Sequence, residues 1–116
     1  METIKEIVQK INQAFRDNDM EAFVSYCADD ITWTMVGNET VTGKQGILDF
    51  MKGMPGNCEP VLTEKLIIAG EDSAACTGTM EMPNPDGSTY HGAFCDVYQF
   101  ENGKVKTIDT YIIELK

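Results

Sequence analysis

Residues 95–113, CDVYQFENGKVKTIDTYII, alternate apolar and polar side chains on either side of an Asn-Gly pair. Period-two alternation marks a half-buried β-strand and Asn-Gly a tight turn, so the stretch predicts two antiparallel strands joined as a hairpin. Each strand carries an aspartate among apolar neighbours, Asp96 and Asp109. Aspartate is disfavoured in strands, and a buried carboxylate must be paired, hydrogen-bonded or protonated. Each is therefore either a solvated outward residue or a candidate for chemistry.

Working back from this hairpin, PVLTEKLIIAG, SAACTGTMEM and STYHGAFCDVYQF also read as strands, separated by turns at Gly70 to Asp72 and at NPDG. Consecutive strands with short turns imply an antiparallel meander. The N-terminal half has a different period. Ile4, Ile7, Val8, Ile11 and Phe15 recur at helical spacing behind a capping box of Thr3 and Glu6, which predicts a helix over residues 4–17. Asp19 caps a short second helix, MEAFVSYC. ITWTMV then alternates with Ile31, Trp33 and Met35 on the buried face, followed by a turn at Gly37-Asn38 and a short return strand. Thr42 and Gln45 offer a second capping box for a third helix, KQGILDFMKG, ended by Gly53, Pro55 and Gly56. Helices first and a long sheet after is an α+β layout, in which the sheet wraps the helices and leaves room for a cavity between them.

The chain has 116 residues, enough for one domain, residues 1–116. Nineteen acidic against nine basic side chains give a net charge of −10, which repels a phosphate backbone and an anionic membrane surface alike. Neither nucleic acid nor membrane is expected as a partner. METIKEIVQKIN lacks the apolar run of a signal peptide, so a cytoplasmic location is the expectation. Cys27, Cys58, Cys76 and Cys95 form no CxxC pair and His91 is the single histidine, which is not a metal pattern; buried free thiols are expected. No cofactor is expected either.

The stretches FRDNDMEAFVSYCADDITW, VTGKQGILDFM and CDVYQFENGKVKTIDTYI, in that order and spacing, resemble the nuclear transport factor 2-like superfamily, in particular its SnoaL-like and ketosteroid isomerase-like branches. The resemblance covers nearly the whole chain. It implies a cone-shaped α+β barrel, three N-terminal helices packed on a strongly curved, mostly antiparallel sheet, with a deep apolar pocket and a homodimer through the sheet's outer face. The superfamily includes isomerases, cyclases, epoxide hydrolases, dehydratases and binding modules, so function rests on the pocket.

Within residues 90–100, Tyr90, Gly92, Phe94, Asp96, Tyr98 and Phe100 share one strand face. If that face looks into a cavity, desolvation raises the Asp96 pKa and lets it donate a hydrogen bond as a neutral acid; ketosteroid isomerase, a known case, uses a protonated aspartate in this way. The resemblance also puts Asp96 where the isomerases carry that acid, which makes it the catalytic candidate. The isomerases' general-base aspartate would fall at Met35 and their oxyanion tyrosine at about Ile11, and a methionine abstracts no proton. Steroid isomerisation by that route is disfavoured. The resemblance turns Ile108 and Ile112 toward the pocket, which sends Asp109 and Tyr111 to the outer face.

Trp33 and Met35, with Phe15, Met51 and Met80, are expected to line the pocket, although such residues equally make ordinary core. Phe94, Tyr98, Ile108 and Ile112 complete the expected substrate contacts. His91 alternates away from Asp96 and reads as a solvated or interface residue. The reading is a pocket for a small hydrophobic or aromatic molecule, with cofactor-independent acid–base chemistry at Asp96 as one outcome. A non-catalytic binding module or a protein-interaction domain is the alternative.

Overall fold

A computed structural model describes residues 3–17, 19–37, 39–52, 61–84 and 86–115, with the side chains of residues 51 and 52 outside that description. Gly53, Pro55, Gly56 and Cys58, and with them the predicted end of the third helix, lie outside the described residues.

Helix α1 spans Ile4–Arg16 and begins with the expected capping box: the Glu6 N–H donates to Thr3 Oγ1 and the Thr3 N–H to Glu6 Oε1, both at 3.1 Å. These bonds satisfy two of the amide donors a helix start leaves unpaired. The apolar stripe Ile7, Val8, Ile11 and Ala14 is buried, at about 1.5–3 kcal/mol for each large side chain. Helix α2, Met20–Ser25, is capped by Asp19, which accepts from the Ala22 N–H at 3.1 Å. Strands β1 (Cys27–Met35) and β2 (Thr40–Thr42) follow, then helix α3 (Lys44–Lys52).

The second capping box does not form. Thr42 stays in β2, paired with Thr32, and Gln45 donates to Asp49 Oδ1 at 2.9 Å. Between them Gly43 turns the chain at φ +82°, a conformation that favours glycine, so the strand runs into the helix without the threonine reaching its amides.

Strands β3 (Val61–Ala69), β4 (Ser73–Pro83), β5 (Thr89–Glu101) and β6 (Lys104–Glu114) make the predicted meander. All six strands form one open, curved sheet in the order β2-β1-β6-β5-β4-β3. β1 runs parallel to β6 and every other pair is antiparallel. Because β1 lies beside the last strand, β2 and β3 become the two edges, and the sheet is not a closed barrel. It curves around the helices, with α1 packed on β3 and β4, and α2 and α3 against β1.

The β5–β6 turn places Asn102 at φ 53° and Gly103 at φ 78°, matching the positive angles a two-residue hairpin demands. Glu101 pairs with Lys104 and Phe100 with Val105, but Gln99 pairs with Thr107, so a bulge leaves Lys106 unpaired and moves the register by one residue. Asp96 therefore faces Thr110 across the strands, and Asp109 faces Val97. Directly opposed residues share a sheet face, which puts Asp96 and the buried Thr110 inside, and Asp109 outside.

On the inner face the Phe94 ring lies across Gly78. A methyl group at Gly78 would stand 2.2 Å from the Thr63 carbonyl oxygen and 2.8 Å from Phe94 Cζ. Gly78→Ala should therefore displace both the β3 backbone and the ring, with a loss of about 1–3 kcal/mol in a urea unfolding curve. An unchanged midpoint would mean that the ring has free room to move.

Candidate functional site

Inside the curve of the sheet, under the helices, lies a cavity of about 230 Å³. Each element contributes to its wall through the period of its own sequence. Inward positions of β5 supply Phe94 and Asp96, those of β6 Thr110 and Ile112, and those of β1 Trp33 and Met35. Asn12 and Phe15 come from the apolar face of α1, and Phe50 from α3. The edge strand β3 adds Leu62, and β4 adds Met80 and Met82.

Seven residues expected from the sequence thus meet in one place: Phe15, Trp33, Met35, Met80, Phe94, Asp96 and Ile112. Tyr98 and Ile108 do not join them. At 1% and 2% exposure they are packed in the core, in one cluster with the buried residues of α1 and α2. Met51 is in α3, but its side chain lies outside the described residues. The expectations also left out Asn12, Phe50, Leu62, Met82 and Thr110. A polar Asn12 within the apolar stripe of α1 was a legible signal. Thr110 shares the alternating face of Ile108 and Ile112 that the resemblance turns inward, but its place opposite Asp96 was not legible, because only the bulged register brings the two together.

The aromatic side of the wall is a connected cluster. Trp33 has ring centroids 6.0 Å from Phe15, 5.7 Å from Phe23 and 6.2 Å from Phe50, and Phe15 lies 4.8 Å from Phe23. The tilted and edge-on arrangements suit the ring quadrupoles.

The polar groups are ordered by who can donate. The indole Nε1–H of Trp33 donates to Thr110 Oγ1 at 2.8 Å. An indole nitrogen only donates, so the Thr110 hydroxyl accepts there and its own hydrogen serves the Asp96 carboxylate. Burial pushes the Asp96 pKa up to about 6, and the bond from Thr110 offsets only part of that. On the other side, Asn12 Nδ2 donates to Glu64 Oε1 at 2.7 Å and to Cys76 Sγ at 3.4 Å. Burial raises the Cys76 thiol above its ordinary range, and the bond from Asn12 opposes the rise. Burial also holds the Tyr98 phenol neutral, with the Asp96 charge adding to the effect.

Cys27 is a free buried thiol pushed up to about 12 by desolvation, Cys76 is free and buried, and Cys95 is free and half-buried. Among the described residues no group of three histidine, cysteine or acidic side chains is placed to hold a metal ion. No helix among them is long and apolar enough to cross a membrane. His91 is exposed, with Nδ1 3.4 Å from Glu81 Oε1, and stands apart from the cavity.

No curated protein matches the chain in sequence. Solved structures match it closely in fold. An NTF2-like protein of unknown function from Burkholderia pseudomallei superposes with a TM-score of 0.89 at 21% identity, over 97% of this chain and 92% of that one. An NTF2-like protein of unknown function from Cytophaga hutchinsonii is 30% identical, with a TM-score of 0.76 over 96% of this chain and all of its own. TerC, crystallised with polyporic acid, gives a TM-score of 0.82 at 23% identity, covering 91% of this chain and 88% of that one. The sequence profile of the SnoaL-like domain matches residues 8–108. The chain therefore belongs to the SnoaL-like family, within the NTF2-like fold.

Proposed function

We propose that the chain acts as one domain that takes a small hydrophobic or aromatic molecule into this cavity and engages it through Asp96. The observation that carries this reading is the placement of one carboxylate on a mostly apolar and aromatic wall whose other polar groups are the neutral Asn12 and Thr110, with Asp96 held by a Trp33–Thr110 relay. Apolar walls with a few convergent polar groups are the common build of small-molecule sites. The crystallisation of TerC with polyporic acid supports a small-molecule role for this fold.

If the bound molecule is turned over, the chemistry is cofactor-independent acid–base work at Asp96, such as an isomerisation, cyclisation or dehydration. A pKa of about 6 lets the group hold or release a proton near neutral pH. One observation favours binding without turnover. The other polar groups of the wall, Asn12 and Thr110, do not titrate in that range, so Asp96 lacks a proton-transfer partner among the described lining residues. A thermal-shift screen of aromatic and polyketide-like compounds on the wild type and Asp96→Asn tests the site. A ligand at about 100 times its Kd adds about 2.7 kcal/mol, and hits that weaken in Asp96→Asn are the expected result. Hits indifferent to the substitution would remove Asp96 from the site.

We also place a second copy of the chain on the outer face of the sheet. Ile68, Leu66, Tyr111 and Ile113 stand on that face at 61%, 51%, 47% and 65% exposure, an apolar surface that association would cover. Ile113→Lys should convert a dimer to a monomer in sedimentation velocity. A wild type that already sediments as a monomer refutes the assignment.

A further inference from the structure

We propose that the molecule this cavity selects is a hydrophobic organic cation, an amine on a flat apolar body, whose ammonium group pairs with Asp96 among the aromatic rings. This rests on the reading of the cavity as a small-molecule site and adds the chemical class of its occupant.

The side-chain donors of the described wall are already engaged. The Trp33 N–H is taken by Thr110, and the Thr110 hydrogen by Asp96. Both Asn12 amide hydrogens are accounted for, one on Glu64 and one on Cys76. Among the described lining residues no side-chain donor is left for a ligand carboxylate, while the Asp96 carboxylate still has acceptor capacity. A complementary ligand must bring donors of its own.

The charge around Asp96 favours a cation as well. The side chains around Asp96 from each packed element are Tyr98 on its own strand, Cys76 opposite it on β4, Thr110 on β6, Trp33 on β1, Asn12 and Phe15 on α1 and Phe50 on α3; Glu64 of β3 lies behind Asn12. None is basic. Three basic side chains are engaged elsewhere, Lys44 with Asp29, Lys104 with the Ser25 carbonyl and Lys106 with Asp30, while Arg16 is exposed and donates to the backbone carbonyl of the lining residue Leu62. A carboxylate buried without a cation is costly, and a cationic ligand relieves that cost when it binds. The rings of Trp33, Phe15 and Phe50 add attraction that a neutral group would not feel. The net charge of −10 draws cations in and holds carboxylates off.

Size sets the body. A cavity of about 150 Å³ accommodates benzene, so about 230 Å³ suits a bicyclic ring system. An isosteric trio then separates the charge classes: 1-naphthylmethylamine, 1-naphthylmethanol and 1-naphthoate, titrated calorimetrically into the intact chain. At pH 7.5 the amine should bind at least about tenfold tighter than the alcohol, and the naphthoate should bind most weakly. With Asp96 half-protonated near pH 6, the amine's affinity should fall about tenfold between pH 7.5 and pH 5, with little change for the alcohol. Asp96→Asn should abolish the pH dependence, and the wild-type profile carries the test if that variant fails to fold. An alcohol that matches or exceeds the amine at pH 7.5 overturns the cation assignment while leaving a small-molecule site in place. Failure of all three to bind overturns both.

Discussion

Asp96→Asn is expected to make the folded chain more stable at pH 8, by about 3 kcal/mol. Asp96 holds its proton more tightly when folded, with a pKa of about 6 against an ordinary value of 3.8. The folded state therefore binds more protons than the unfolded one between these values, and stability falls as pH rises through that window. Above pH 6 the full cost of the buried anion is present, about 2.2 pKa units at about 1.4 kcal/mol each. Asparagine keeps the shape and accepts the Thr110 hydrogen without carrying a charge. In a chain of this size the gain corresponds to a rise of roughly 10 °C in Tm. Urea unfolding at pH 4 and pH 8 checks the sign: the two proteins should converge at pH 4 and separate at pH 8. A wild type as stable as the variant at pH 8 would mean that the carboxylate is solvated through the cavity mouth. A stabilising change that also weakens ligand binding is the pattern expected where function requires a group the fold would do better without.

Trp33→Ala should have the opposite effect, a loss of about 3–5 kcal/mol. Its ring joins Phe15 and Phe50, which line the cavity, to Phe23, which is fully buried, so truncation opens the core as well as the site. Trp33→Phe separates the two contributions. It keeps an aromatic body but removes the Nε1–H, leaving Thr110 without the donor now 2.8 Å away, at a cost of about 1–2 kcal/mol. If Trp33→Phe is as damaging as Trp33→Ala, the hydrogen bond and not the ring packing dominates. The affinity of the amine probe in the two variants would then show how far the relay positions Asp96.

The elements of this fold are local enough to be read from the chain. The capping box at Thr3 and Glu6, the stripe from Ile4 to Phe15 and the four alternating strands each depend on neighbours within about four residues, and each forms where its period places it. Where a local signal failed, a backbone requirement displaced it, as Gly43 displaced Thr42 from the start of α3.

The site is a different matter, as its two aspartates illustrate. Alternation puts Asp96 on the aromatic face of β5, and that much holds without any tertiary contact. Counting back from the Asn-Gly turn in an unbroken ladder, however, would set Asp109 opposite Asp96 on the inner face. The bulge at Lys106 removes it, shifting the ladder by one residue so that Thr110 arrives instead. That bulge lies where β6 meets β1: Val105 donates its N–H to the Tyr26 carbonyl at 2.9 Å, and Lys106 reaches Asp30. Both partners lie more than 70 residues away in sequence, so nothing near the hairpin announces them. Side-chain period, turn type and caps are properties of a few consecutive residues and belong to the sequence alone. Register, the Trp33–Thr110–Asp96 relay and the closure of the cavity depend on which distant strand lies alongside, and only the packed chain settles that.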